Sequence, residues 1–223
     1  RKAYEQGHIP GANYAHLDED LSGKIISGET GRHPLPDPLA FSRFLDACGV
    51  DANSQIVAYD NVGGKIAGRL WWLMKWFGHE KAAVLDVGIQ AWVDAGFELS
   101  TETPAKKRGN FMPDMISERS FKPEDVIETI ETKKFLLVDS RAPARFSGEE
   151  EPIDPIAGHI PGAVNLPFEE NYDENFKMLS KEALADRFKP LLETKTPDEL
   201  VFYCGSGVTG AHNVLAFEYA GLA

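Results

Sequence analysis

Apolar and polar positions along this chain fall into blocks that read in turn as helix and strand. Asp37-Pro38-Leu39 opens a helix that runs to about Cys48, with Asp37 as its cap and Gly49 as its stop. A short apolar run, Gln55 to Tyr59, predicts a strand. Lys65 to Phe77 is the next helix, ended by Gly78. Its Trp71, Trp72 and Trp76 stand at helical spacing, which marks core packing rather than an aromatic binding patch. Ala82 to Val87 reads as a strand, and Ile89 to Ala95 as a short helix ended by Gly96. After a break the alternation resumes. Lys122-Pro123-Glu124-Asp125 leads a helix to about Thr132, and Phe135 to Asp139 and Ala163 to Leu166 are strands. Ser180-Lys181-Glu182-Ala183 starts a helix through about Leu192. Leu200 to Tyr203 is a strand expected to be buried on both faces, followed by a tight loop and a helix from about Val208. Strands alternating with helices predict an α/β protein with mostly parallel sheets flanked by helices. Sites are expected at strand C-terminal ends.

The second half repeats the first. Gly7-His8-Ile9-Pro10-Gly11-Ala12 recurs as Gly158-His159-Ile160-Pro161-Gly162-Ala163. Ile56 to Gly64 matches Leu200 to Gly207, with Asp60 standing where the second copy has Cys204. Two landmarks in one order at nearly one offset mean a duplicated domain, too long in period for a solenoid. The copies are expected at residues 1–100 and 121–223. Between them, residues 101–120 read as a linker, with Pro104, Lys106, Lys107, Arg108, Gly109, Asn110 and Pro113. Both chain ends read as cut. The first copy starts after the point where a counterpart of Val138-Asp139-Ser140-Arg141 should lie, and the second stops before a counterpart of Ala83 to Trp92.

Composition narrows the field. Hydrophobic content of 43% and charged content of 26% are those of an ordinary globular chain of 223 residues. No apolar run approaches a membrane span. The net charge of −12 argues against nucleic acid and against anionic membrane surfaces. Cys48 and Cys204 cannot build a disulfide framework and lie in no zinc spacing, so no metal is expected and a reducing cytoplasm is the default compartment.

Cys204 is the residue with chemistry in its surroundings. It ends a strand and precedes a loop, Gly205-Ser206-Gly207, that opens a helix. Unpaired amides and the positive end of the helix dipole favour an anion there, so the thiol pKa should fall and the thiolate become a nucleophile. A cysteine phosphatase would use the same architecture, but it needs an arginine six residues after the cysteine. Position 210 is glycine, and no arginine follows Cys204.

At these residues the chain resembles the tandem-domain sulfurtransferases of the rhodanese and 3-mercaptopyruvate sulfurtransferase group. Both Gly-His-Ile-Pro-Gly turns, Asp139-Ser140-Arg141, Arg145 and the loop Cys204 to Thr209 carry the likeness. It implies two tandem rhodanese-like domains, the first inactive and the second catalytic. It implies sulfur transfer from a small anionic donor, through a Cys204 persulfide, to a thiol, cyanide or thioredoxin-like acceptor, without a cofactor. The loop Cys-Gly-Ser-Gly-Val-Thr looks like the mercaptopyruvate branch. Gly205, Gly207, Val208 and Thr209 would cradle the sulfur, and Arg145 would bind the donor's carboxylate or sulfonate. Asp18, His33 and Ser206 match a relay in which His33 acts as base on Ser206. His8 and His159 are expected to hold their turns. Where relatives often carry a second substrate arginine, this chain reads Glu151-Pro152-Ile153-Asp154, and Gly210 stands where alanine is usual. Arg145 paired with the Glu149-Glu150-Glu151 run is the competing expectation for that residue. Thiosulfate as donor, a persulfide carrier without turnover and a purely structural interaction domain are the rival functions. Replacing Cys204 by Ser should abolish sulfur transfer and leave the circular dichroism spectrum unchanged; surviving transfer would refute the nucleophile.

Overall fold

The structure, a computed structural model, describes residues 1–105, 108–116 and 120–223. Lys106 and Lys107 of the expected linker, and Ser117, Glu118 and Arg119, lie outside the described residues. The chain divides into two compact units, Arg1–Ile116 and Ser117–Ala223.

The first unit contains α1 (Lys2–Gln6), α2 (Pro38–Ala47), β1 (Ile56–Ala58), α3 (Lys65–Trp76), β2 (Ala82–Val84) and α4 (Ile89–Asp94). The two strands pair in parallel, Ile56 opposite Ala82. The Asp37 carboxylate accepts from Ala40 N at 2.9 Å and so caps α2 as expected. Leu45, Leu73, Met74, Trp76 and Phe77 form the core with Leu21, Phe41 and Phe111. The tryptophans serve packing: Trp71 and Trp76 are buried, and Trp72 packs against the core. The unit extends beyond the boundary expected at residue 100. Asn110 bridges to Asp51, Phe111 enters the core, and Ile116 N donates to Trp76 O at 2.9 Å. An apolar side chain at Phe111 overrides the Pro- and Lys-rich composition around it.

The second unit contains α5 (Pro123–Thr132), β3 (Leu136–Asp139), α6 (Pro143–Ser147), β4 (Val164–Asn165), α7 (Lys181–Leu192), β5 (Leu200–Tyr203) and α8 (Val208–Tyr219). Short 3-10 turns lie at Phe168–Asn171 and Pro197–Glu199. The sheet order is β4-β3-β5, all parallel, with Val138 opposite both Val164 and Phe202. This order places β3 centrally, and Leu137, Val138 and Asp139 are buried. β5 lies at an edge of the sheet, so Leu200 to Tyr203 are half-buried rather than covered on both faces. Phe188, Phe202 and Phe217 pack ring against ring between α7, β5 and α8. Asp139 and Tyr203 pair at the C-terminal ends of β3 and β5. The chain leaves the sheet there, and that end holds the candidate site.

Candidate active site

β5 delivers Cys204 to the end of the sheet, and Gly207 turns the chain into α8. Gly207 has φ +78°, a left-handed conformation that favours glycine. The turn brings the amides of Ser206 and Gly207 onto Cys204 Sγ, at 3.4 and 3.1 Å. Burial alone would push this thiol's pKa up. The Thr209 hydroxyl and the amides of Ser206, Gly210 and Thr209 outweigh it, so the thiol lies below its ordinary value. Cys48 shows the contrast. Burial, with Asp20 nearby, pushes it up to about 11, which makes it inert.

Gly210 does more than loosen the first helical turn. A Cβ there would meet Phe202 O at 3.2 Å and Tyr203 Cα at 3.3 Å. Glycine lets α8 lie close on β5 and keeps its own amide in the thiolate cradle. Behind the loop, buried side chains tie α8 to the sheet. Asn213 Nδ2 donates to Ser140 Oγ and Leu166 O, both at 2.8 Å. Asn171 Nδ2 donates to Asn213 Oδ1 at 2.7 Å and faces His212 Nδ1 at 3.1 Å. These polar residues escaped the sequence reading because nothing in a helical stripe marks a buried amide.

A cavity of about 280 Å³ opens at Cys204, small enough to suit a donor of a few heavy atoms. Arg141, Ile156, Gly158, His159 and Tyr203 line it. Arg141 is the lining residue that the sequence reading gave no role. It grips Asp139 with Nε at 3.0 and 3.1 Å and Nη2 at 2.7 Å, and it also reaches Gly158 O at 2.7 Å. Its signal was an arginine two residues past the end of an apolar strand. Arg145 lies on α6, whose neighbour Phe146 stacks on His159 at 3.7 Å and accepts from His159 Nδ1 at 2.8 Å. Arg145 itself is paired. Its Nη2 donates to Glu151 Oε1 at 2.7 Å and Asp154 Oδ2 at 2.9 Å, and its Nε to Glu151 Oε2 at 3.2 Å.

The first unit repeats this design with another occupant. His8 stacks on Tyr4 at 3.8 Å and its Nδ1 donates to Tyr4 O at 2.8 Å, as His159 does with Phe146. Ile9 N donates to Tyr59 Oη at 3.1 Å, as Ile160 N does to Tyr203 Oη at 3.3 Å. Both turn histidines therefore hold their loops. At the position of the cysteine, the Asp60 carboxylate accepts from the amides of Val62, Gly64, Ile66 and Ala67 at 2.8–2.9 Å. The loop's anion is built into the chain.

The rhodanese-like domain model matches residues 1–95 and 122–223. The chain belongs to the rhodanese family of sulfurtransferases. It is 42% identical over 221 residues to a probable 3-mercaptopyruvate sulfurtransferase of Pseudomonas aeruginosa, covering 99% of this chain and 78% of that one. It is 30% identical to the thiosulfate sulfurtransferase of Bos taurus, over 99% of this chain and 74% of the relative. The crystal structure of the 3-mercaptopyruvate sulfotransferase SseA from Escherichia coli superposes with a TM-score of 0.82 at 30% identity, over 99% of this chain and 81% of SseA.

Within this sulfurtransferase, Asp18 and His33 belong to the first unit and Ser206 to the second. Asp18 Oδ1 lies 3.1 Å from His33 Nε2. That contact fixes the proton on Nε2 and leaves Nδ1 as the basic atom. Burial lowers the pKa of His33 against the opposing pull of Asp18, which favours the neutral ring a base requires. Ser206 is half-buried beside the thiol. Among the described residues, no group of three or more His, Cys, Asp or Glu is gathered to hold a metal, and no helix is long and apolar enough to cross a membrane.

The cradle makes a pH prediction. A depressed thiol pKa means that Cys204 becomes a thiolate at lower pH than an ordinary cysteine. The rate of Cys204 alkylation by iodoacetamide against pH should therefore show its midpoint below that of an ordinary cysteine. In Thr209→Val the midpoint should move up, because a hydrogen bond to the charged form is lost. An unmoved midpoint would remove Thr209 from the cradle.

Proposed function

We propose that this enzyme moves a sulfane sulfur from 3-mercaptopyruvate, through a persulfide on Cys204, to a thiol, cyanide or thioredoxin-like acceptor. The observation that carries this reading is the convergence of loop amides on Cys204 Sγ beside a small cavity. The Cys204 thiolate attacks the donor's sulfur. An S–S bond forms, the donor's C–S bond breaks, and the electron pair leaves with pyruvate enolate. The donor's thiol proton ends on the enolate carbon, giving pyruvate and a Cys204 persulfide anion. An acceptor then takes the outer sulfur and restores the thiolate; cyanide leaves as thiocyanate. The amides of Ser206, Gly207, Thr209 and Gly210 stabilise the anionic sulfur in both states. Arg145 receives the donor's carboxylate, a role supported by its place on α6 next to the ring that stacks on pocket-lining His159.

Asp18, His33 and Ser206 complete the proposal as a relay that protonates or polarises the leaving enolate. The Asp18–His33 contact and the lowering of the His33 pKa by burial support it. Sulfite leaves thiosulfate as a stable anion and needs no such help. Replacing His33 by Gln should thus lower kcat with 3-mercaptopyruvate and spare turnover with thiosulfate. An equal loss with both donors, or none, removes the relay.

Steady-state turnover tests the whole reading. With 3-mercaptopyruvate and cyanide the enzyme should cycle many times, with a higher kcat/KM than with thiosulfate. Release of one equivalent without further turnover would make it a carrier instead. Arg145→Ala should raise the KM for 3-mercaptopyruvate by about 1.5–3 kcal/mol in binding terms, the scale of one charged hydrogen-bonding contact. Unchanged kinetics would place Arg145 outside the donor site.

A further inference from the structure

The repeat shows what the second unit has added around its site. Tyr4 and His8 are four positions apart in the first stacked pair, and Phe146 and His159 are thirteen apart in the second. The second copy therefore carries nine more residues between two positions that the fold holds in the same relation. This added loop supplies Ile156 and Ala157 to the wall of the Cys204 cavity. It also supplies both carboxylates that pair with Arg145.

The two carboxylates differ. The Glu151 side chain is only 5% exposed and is built into the loop. Its Oε1 accepts from Ile153 N at 3.1 Å and Asp154 N at 2.9 Å, and its Oε2 accepts from Arg141 Nη1 at 3.3 Å. Arg145 holds its carboxyl below the ordinary range. Asp154 is the more accessible partner, with its side chain 25% exposed, and it accepts from Arg145 Nη2 at 2.9 Å. Nη2 has two N–H groups, and both carboxylates draw on them. A donor carboxylate seeking the paired fork of Nη1 and Nη2 would meet carboxylate oxygens already on Nη2, and Asp154 is the more exposed of the two. Around these groups Arg141 and Arg145 face Asp139, Glu151 and Asp154, so the cluster already holds more negative than positive charge.

We infer that Asp154 is a specificity-determining residue: an internal carboxylate that occupies Arg145 in place of the donor's and sets how tightly small anionic donors bind. This inference rests on the donor-binding role of Arg145 proposed above. Donor entry exchanges one carboxylate for another on the same guanidinium. Affinity then reflects the difference between the two, and the penalty grows with the donor's negative charge near Asp154.

The test uses the intact chain as wild type, Asp154→Ala, Arg145→Gln and the double variant. Two readouts are taken: the KM for 3-mercaptopyruvate, and the pyruvate concentration that half-protects Cys204 from iodoacetamide. Both should fall at least threefold in Asp154→Ala, and the change should vanish when Arg145 is already Gln. Asp154→Asn, which removes the charge but keeps the shape, should give a smaller fall in the same direction and serves if the alanine variant does not fold. Unchanged or raised values in folded variants overturn the inference, as does an equal fall in the Arg145→Gln background. Protection by pyruvate needs no sulfur transfer. A wild-type chain that fails to turn over any donor therefore refutes the proposed function, while the pyruvate readout still decides the role of Asp154.

Discussion

Backbone amides that converge on one anionic atom are the constraint around which each unit is arranged. A strand must end at the right place, a glycine must turn left-handed, and a helix must begin at once. Only then do successive N–H groups point inward. In the second unit the atom is Cys204 Sγ, and in the first it is the carboxylate of Asp60. The same geometry lowers a thiol pKa in one case and satisfies a side chain in the other. The packing serves this constraint. Gly210 lets α8 approach β5 closely enough, and the buried Asn171, His212 and Asn213 keep the helix in place behind the loop.

The regular elements were legible because their ends are marked by local chemistry. Asp37 and Ser180 cap helices where their side-chain oxygens meet free amides, and both do so in the structure. The strands Leu136–Asp139 and Leu200–Tyr203 follow from unbroken apolar runs. The short helices Lys2–Gln6 and Pro143–Ser147 have too few residues for a period to show. The depth of burial of β5 was not legible either, since it depends on strand order rather than on the strand's own residues.

At the site, the sequence pointed to Cys204 and its loop through the glycines, and to the duplication through two matched landmarks. It also offered the Glu149-Glu150-Glu151 run as a partner for Arg145, and Glu151 is that partner, but it showed neither Asp154 nor the turn of Arg141. Arg145 finds Glu151 and Asp154 through the path of a loop, and Arg141 lines the cavity by turning back on Asp139. The Asp154 and Arg141 contacts depend on how the chain folds back, and spacing along it does not encode them. The extension of the first unit to Ile116 has the same origin: one buried ring, Phe111, fastens a stretch whose composition reads as solvated.

Asp60 has a consequence for how the duplication persists. Its carboxylate is tethered to the cradle it fills by a single methylene, so its effective concentration at those amides exceeds that of any dissolved anion. A dissolved anion would have to displace a group already tethered in that loop. The first copy's loop is filled by a group of its own chain, which satisfies the amides of Val62, Gly64, Ile66 and Ala67. At one position of the duplicated fold, a thiol whose cradle favours an anion stands in one copy, and a side chain that brings its own anion stands in the other.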